Sequence, residues 1–173
     1  MSDSSSGFWG IVQTEGVVKP ANINQEVYYP GPVVEEQGGK VKGAPVKINH
    51  IELEGFSDEE LSVGNITQHK MHDYVLFVRG ELYESKFNNF VQTLSEQQNS
   101  NIDVGYNDLV REVNAGNLAL SWGIQAHTVP TSLHENTVVF IQSISEVSLV
   151  PIGAVPGSSA WGCDETCDIA FSD

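Results

Sequence analysis

The chain has 173 residues, 40% of them hydrophobic, with 8 basic against 23 acidic side chains and a formal net charge of -15. That length can bury one core without metal or disulfide staples, and a surface of that sign repels phosphate backbones, which argues against direct nucleic-acid binding. No apolar run approaches the roughly 20 residues that a membrane-spanning helix needs, and Met1 to Gly7 lacks the basic and apolar regions of a signal peptide.

A reducing compartment is therefore expected, with no membrane partner. Cys163 and Cys167 are expected as two free thiols, because no further Cys/His pair stands nearby to complete a four-ligand metal site. No cofactor and no metal are expected.

Residues 1–7 read as a disordered polar tail, residues 8–160 as a single domain, and residues 161–173 as an acidic tail. Phe8 to Val12 is a first strand. Residues 14–44, rich in Gly, Pro, Asn and Glu, read as loops. Ala44 to Ile51 is a buried strand, followed by an acidic surface loop from Glu52 to Glu60. Ser62 to Thr67 and Tyr74 to Leu82 predict a hairpin with His69 to Asp73 at its tip. The period then changes. Tyr83, Phe87, Phe90, Val91 and Leu94 fall on one helical stripe, and Tyr106, Leu109, Val110 and Val113 predict a second, shorter helix stopped by Asn114-Ala115-Gly116.

Strands return after the helices. In Leu118 to Val129 the even positions Leu118, Leu120, Trp122, Ile124 and Ala126 are apolar and the odd positions Ser121, Gly123, Gln125 and His127 small or polar, which puts Ser121 and Gly123 opposite Leu120 and Trp122. Thr137 to Pro151 is one long strand or two joined by a bulge. The order is β-rich, helical, then β-rich, the pattern of an α+β domain built on a sheet or barrel.

Three strand islands each present one reactive side chain: His50 after Pro45-Val46-Lys47-Ile48-Asn49, Ser121 within Leu118 to Ile124, and Glu146 within Ser145 to Pro151. A serine needs a neighbouring base to become a nucleophile, and the base needs a third group to orient it. An ionised carboxylate on an apolar strand is costly without a partner, and an imidazole would be one. Each residue also has a plain alternative, a polar side chain facing water. His69, His72, His127 and His134 compete with His50, and Ser143, Ser145 and Ser148 compete with Ser121. There is no Gly-x-Ser-x-Gly elbow and no glycine-rich phosphate loop, which disfavours an α/β-hydrolase and a nucleotide enzyme.

Taken in this order, the islands resemble the herpesvirus assemblin and tailed-phage prohead protease superfamily, the serine proteases that mature viral capsids. Pro45 to His50 looks like the strand of the catalytic histidine. Ser121-Trp122-Gly123 looks like the phage nucleophile strand, and Glu146-Val147-Ser148-Leu149-Val150-Pro151 like the phage pattern near the end of the domain. The resemblance implies a small, mainly antiparallel β-barrel flanked by helices. It implies an endopeptidase with Ser121 as nucleophile, His50 as general base and Glu146 orienting it, and an oxyanion hole from backbone N–H groups near Gly153 and Ala154. The herpesvirus branch has a histidine where Glu146 stands and an arginine pair where this chain has Ile152-Gly153-Ala154-Val155.

The partners implied are the scaffold and major capsid proteins of an immature shell, with self-cleavage and, as in herpesvirus members, a homodimer. The place implied is the inside of the procapsid, in a bacterial cytoplasm for the phage branch or a host nucleus for the herpesvirus branch. Two other classes fit the composition: a non-catalytic virion or interaction module on the same fold, and an unrelated acidic binding domain for basic proteins.

Overall fold

The structure, a computed structural model, describes residues 3–19, 25–153, 155 and 157–171. In chain order it runs β1 (Ser5–Thr14), β2 (Gly16–Val18), β3 (Val27–Tyr29), α1 (Gly31–Gln37), a 3-10 turn (Gly38–Val41), β4 (Pro45–Ile48), β5 (Gly64–His72) and β6 (Val75–Tyr83). It continues through α2 (Glu84–Gln98), α3 (Tyr106–Asn114), β7 (Ala119–Val129), β8 (Thr137–Val150), β9 (Ala160–Gly162) and α4 (Glu165–Ala170).

The strands form one sheet in the order β2-β3-β8-β4-β5-β6-β1-β9, with β7 paired to β8. Most ladders are antiparallel, as expected for the class. Two are parallel, and both involve β8: β3 pairs with its start and β4 with its end. The sheet is therefore mixed, and it curls into a half-barrel that brings β1 alongside β7 without a ladder between them among the described residues. The small, mainly antiparallel barrel implied by the resemblance is met only in outline. Phe8, Val12, Val46, Ile66, Leu76, Val78, Leu120, Val147 and Leu149 are buried in one core.

α2 and α3 stand where the periodicity puts them. Phe87 and Phe90 on α2, and Tyr106, Leu109 and Val113 on α3, are buried against the sheet. Alternation also holds on β6, where Leu76, Val78, Gly80 and Leu82 are buried. Several local expectations are corrected. Residues 14–44 contain β2, β3, α1 and the 3-10 turn rather than loops alone. The hairpin tip is only Asp73-Tyr74, both with positive φ (49° and 63°), so His69 and His72 lie on β5. Ser5 to Gly7, read as tail, open β1, and the Asp3 carboxylate accepts from the Ser85 amide at the start of α2.

Cys163 and Cys167 are joined in a disulfide, not free. The first turn of α4 folds Cys167 back onto Cys163, and Asp164 caps that turn by accepting from the Cys167 amide at 3.2 Å. Spacing that offers no metal partner still offers each thiol the other.

Candidate active site

The chain leaves β4 through a corner that aims one side chain. Asn49 and His50 both have left-handed backbone (φ 51° and 53°), a conformation that costs a non-glycine residue about 1–2 kcal/mol. Hydrogen bonds hold the corner. The Asn49 amide donates to the Leu149 carbonyl at 2.9 Å, the Ile51 amide to the Ile48 carbonyl at 3.0 Å, and the His50 amide to the Ser148 hydroxyl at 3.0 Å. Sequence alternation extends the strand through Ile51; in the molecule it ends at Ile48, and the turn carries His50 over the edge of β8.

Ser121 and Glu146 are set by the β7–β8 register. Ser121 lies opposite Ser148, and Gly123 opposite Glu146, so all four share one face. β8 is one strand with three register shifts against β7, and one of them leaves Ser145 unpaired immediately before Glu146. Such bulges re-aim side chains beside sites. The Ser145 hydroxyl donates to the Gly123 carbonyl at 3.0 Å. Gly123 is needed for space: a Cβ there would stand 2.5 Å from Glu146 Oε1.

The three side chains chosen from the sequence meet. His50 Nε2 is 3.0 Å from Ser121 Oγ, and His50 Nδ1 is 2.5 Å from Glu146 Oε1. Glu146 is 5% exposed, and its second oxygen accepts from Ser148 Oγ at 2.7 Å. A carboxylate accepts only, so Nδ1 carries the imidazole proton, and Nε2 is left free to accept from the serine. Burial of the carboxylate is offset by these two hydrogen bonds.

The other candidates are engaged elsewhere. His69 rests against Gly39, His72 faces Asp73, His127 stacks on Phe140, and His134 lies 3.7 Å from Glu26. Ser143 is exposed. Gly153, expected as an oxyanion donor, packs against Ser158, Ala119 and the carbonyl of Leu120, the residue before the serine. Ala154, its companion, lies outside the described residues. Among the described residues no group of three or more His, Cys, Asp or Glu side chains is placed to hold a metal ion.

Two features escaped sequence reading. One is the Ser148 hydroxyl, which joins Glu146 to the backbone of His50; its signal was the shared face of Glu146 and Ser148. The other is Lys47, only 1% exposed and paired at 2.8 Å with Asp58, which pins the acidic loop beside the site.

A cleft of about 620 Å3 passes Ser121, His50 and Glu146 and continues between Val18, Val27, Tyr29, Trp122 and Val138. Tyr29 and Trp122 pack with ring centroids 5.9 Å apart, and burial pushes the Tyr29 hydroxyl up to about 12. A larger hollow of about 870 Å3, around Trp9, Trp161 and the disulfide, contains none of the three residues.

No family model and no curated protein matches the chain. Solved structures do. The protease of Kaposi's sarcoma-associated herpesvirus in complex with a dimer disruptor superposes with a TM-score of 0.55 at 18% identity, covering 98% of this chain and 82% of that one. The chain shares its fold. The same protease with an allosteric inhibitor gives 0.54, with the same identity and coverage. With a hexapeptide phosphonate inhibitor it gives 0.52 at 18% identity, over 91% of this chain and 64% of that one.

Proposed function

We propose that this chain is a serine endopeptidase of the capsid-maturation type. The observation that carries the reading is the hydrogen-bonded series Ser121–His50–Glu146, on the fold of a herpesvirus protease. Ser121 Oγ attacks the scissile carbonyl carbon while its proton passes to His50 Nε2. Glu146 stabilises the imidazolium that forms. The tetrahedral oxyanion collapses as Nε2 gives the proton to the leaving amine, and water then repeats the sequence on the acyl-enzyme. The loop after β8, at Gly153 and Ala154, is the candidate source of N–H donors to the oxyanion.

The bond cut is a peptide bond of scaffold or capsid protein inside an immature shell, the chain's own junctions included. A homodimer is the active form under this reading. The glutamate in place of histidine favours the phage branch.

The test is intact mass after treatment with a fluorophosphonate, for wild type and Ser121→Ala, together with co-expression of each with its scaffold. One adduct and discrete fragments in wild type only are expected. Adducts of equal yield in Ser121→Ala would remove Ser121 from the chemistry. A wild type that is neither labelled nor cuts scaffold after assembly would leave the non-catalytic module standing.

A further inference from the structure

We propose that Ser148 is a positioning residue of this site, a clamp that fixes Glu146 and His50 to each other; the proposal rests on the serine-protease reading above. Its hydroxyl is fully buried. It accepts from the His50 amide at 3.0 Å and donates to Glu146 Oε2 at 2.7 Å. A hydroxyl has one proton, so accepting from the amide commits that proton to the carboxylate.

Three consequences follow from this one atom. The glutamate is held by both oxygens, one on Ser148 and one on His50 Nδ1, so it cannot swing away from the ring. The left-handed corner at His50 keeps a partner for a part-buried amide that would otherwise be left without one. The ring is thereby placed over Ser121, which sits across the ladder from Ser148. Ser148 never touches a substrate. It acts through the geometry of two residues that do the chemistry.

An alanine at 148 removes the hydroxyl with little change in packing. Partners that orient metal-ligating histidines and carboxylates in this way typically carry about 10–100-fold when removed, and that scale is applied to the same orienting role here. Ser148→Ala is therefore expected to lower the second-order rate of fluorophosphonate labelling at Ser121 by about 10–100-fold. The downfield proton resonance of His50 Nδ1–H should be lost or displaced. Ser148→Thr, which restores the hydroxyl, should recover the rate and the resonance, and Ser143→Ala on the exposed side of β8 should leave both unchanged.

A folded Ser148→Ala with labelling within twofold of wild type, or with the resonance unmoved, overturns the proposal. So does a loss that Ser148→Thr, once folded, fails to reverse. If Ser148→Ala does not fold, Ser148→Cys, near in volume and a weak donor, takes its place, and the wild-type rate and resonance in that variant overturn the clamp. If wild type is neither labelled nor cuts scaffold after assembly, the protease reading fails, and the resonance alone decides whether Ser148 holds His50 and Glu146 together.

Discussion

Gly123 offers the sharpest test of the geometry, because a single methyl group there attacks one hydrogen bond. The Cβ of Gly123→Ala would lie 2.5 Å from Glu146 Oε1 and 3.1 Å from its carboxyl carbon. Ordinary contact between such atoms needs about 3.4 Å or more, so the carboxylate must retreat by about 1 Å. Its bond to His50 Nδ1 is 2.5 Å long and cannot survive that retreat at full strength, since hydrogen bonds weaken steeply past about 3.2 Å. A misplacement of about 1 Å costs about 10²-fold, and complete loss of the orienting carboxylate costs about 10⁴-fold. The expected fall in labelling of Ser121 lies between these limits, about 2.7–5.5 kcal/mol of barrier. The assay is the second-order rate of fluorophosphonate labelling in wild type, Gly123→Ala, Glu146→Ala and the double variant, each checked for its melting transition. In the Glu146→Ala background the alanine at 123 meets only the Ser145 hydroxyl, at 3.1 Å, so most of its effect on labelling should vanish. A rate for Gly123→Ala within threefold of wild type refutes the reasoning, as does an equal cost in both backgrounds.

Lys47 and Asp58 make a prediction about stability. At 2.8 Å and an effective dielectric of about 20 their attraction is about 6 kcal/mol gross, which the desolvation of a fully buried ammonium largely offsets. Lys47→Met should therefore change urea-unfolding stability by about 1 kcal/mol or less, whereas Asp58→Ala should cost about 2–3 kcal/mol, towards the low end because Asp58 is 34% exposed. Equal costs would contradict this account. Tyr29 predicts an alkaline effect: its folded hydroxyl is pushed up to about 12 by burial, so the unfolded chain ionises first. Its contribution to stability is full below about pH 10 and is lost as pH rises towards 12. Spectrophotometric titration should show a late tyrosine that Tyr29→Phe removes, and Tyr29→Phe should flatten the loss of stability above pH 10.

The parts of the molecule legible in the sequence were those written as periodicity. Phe87 and Phe90 on α2, Val113 on α3, and the alternation of Leu76, Val78 and Leu82 on β6 all follow from one element burying one face. His50, Ser121 and Glu146 could be selected because each interrupts such a pattern. Their contact could not be read, because it depends on β8 taking β7 on one side and β4 on the other, with β4 running parallel to it. β2, β3 and α1 were hidden by the glycines and prolines of residues 14–44, which mark turns without showing the three-residue strands between them. The disulfide was missed because the compartment was inferred from the N-terminus, whereas the α4 turn decides whether the sulfurs can meet.

β8 is the frame on which the site depends. Glu146 stands on it, Ser121 is placed by antiparallel pairing to Ser148, and His50 is placed by parallel pairing of Lys47 with that same Ser148. Ser148 is thus the register point shared by both neighbouring strands. A slip of one residue on either side would send a member of the series to the wrong face, since side chains alternate with a period of two. Val147 and Leu149 flank Ser148 on the opposite face and are buried in the core with Val46 and Leu120. The apolar face therefore specifies the register that the polar face uses. Exchanging Val147 or Leu149 for a polar residue would disturb the site only by disturbing the fold, whereas exchanging Ser148 would disturb the site while the core register stays in place.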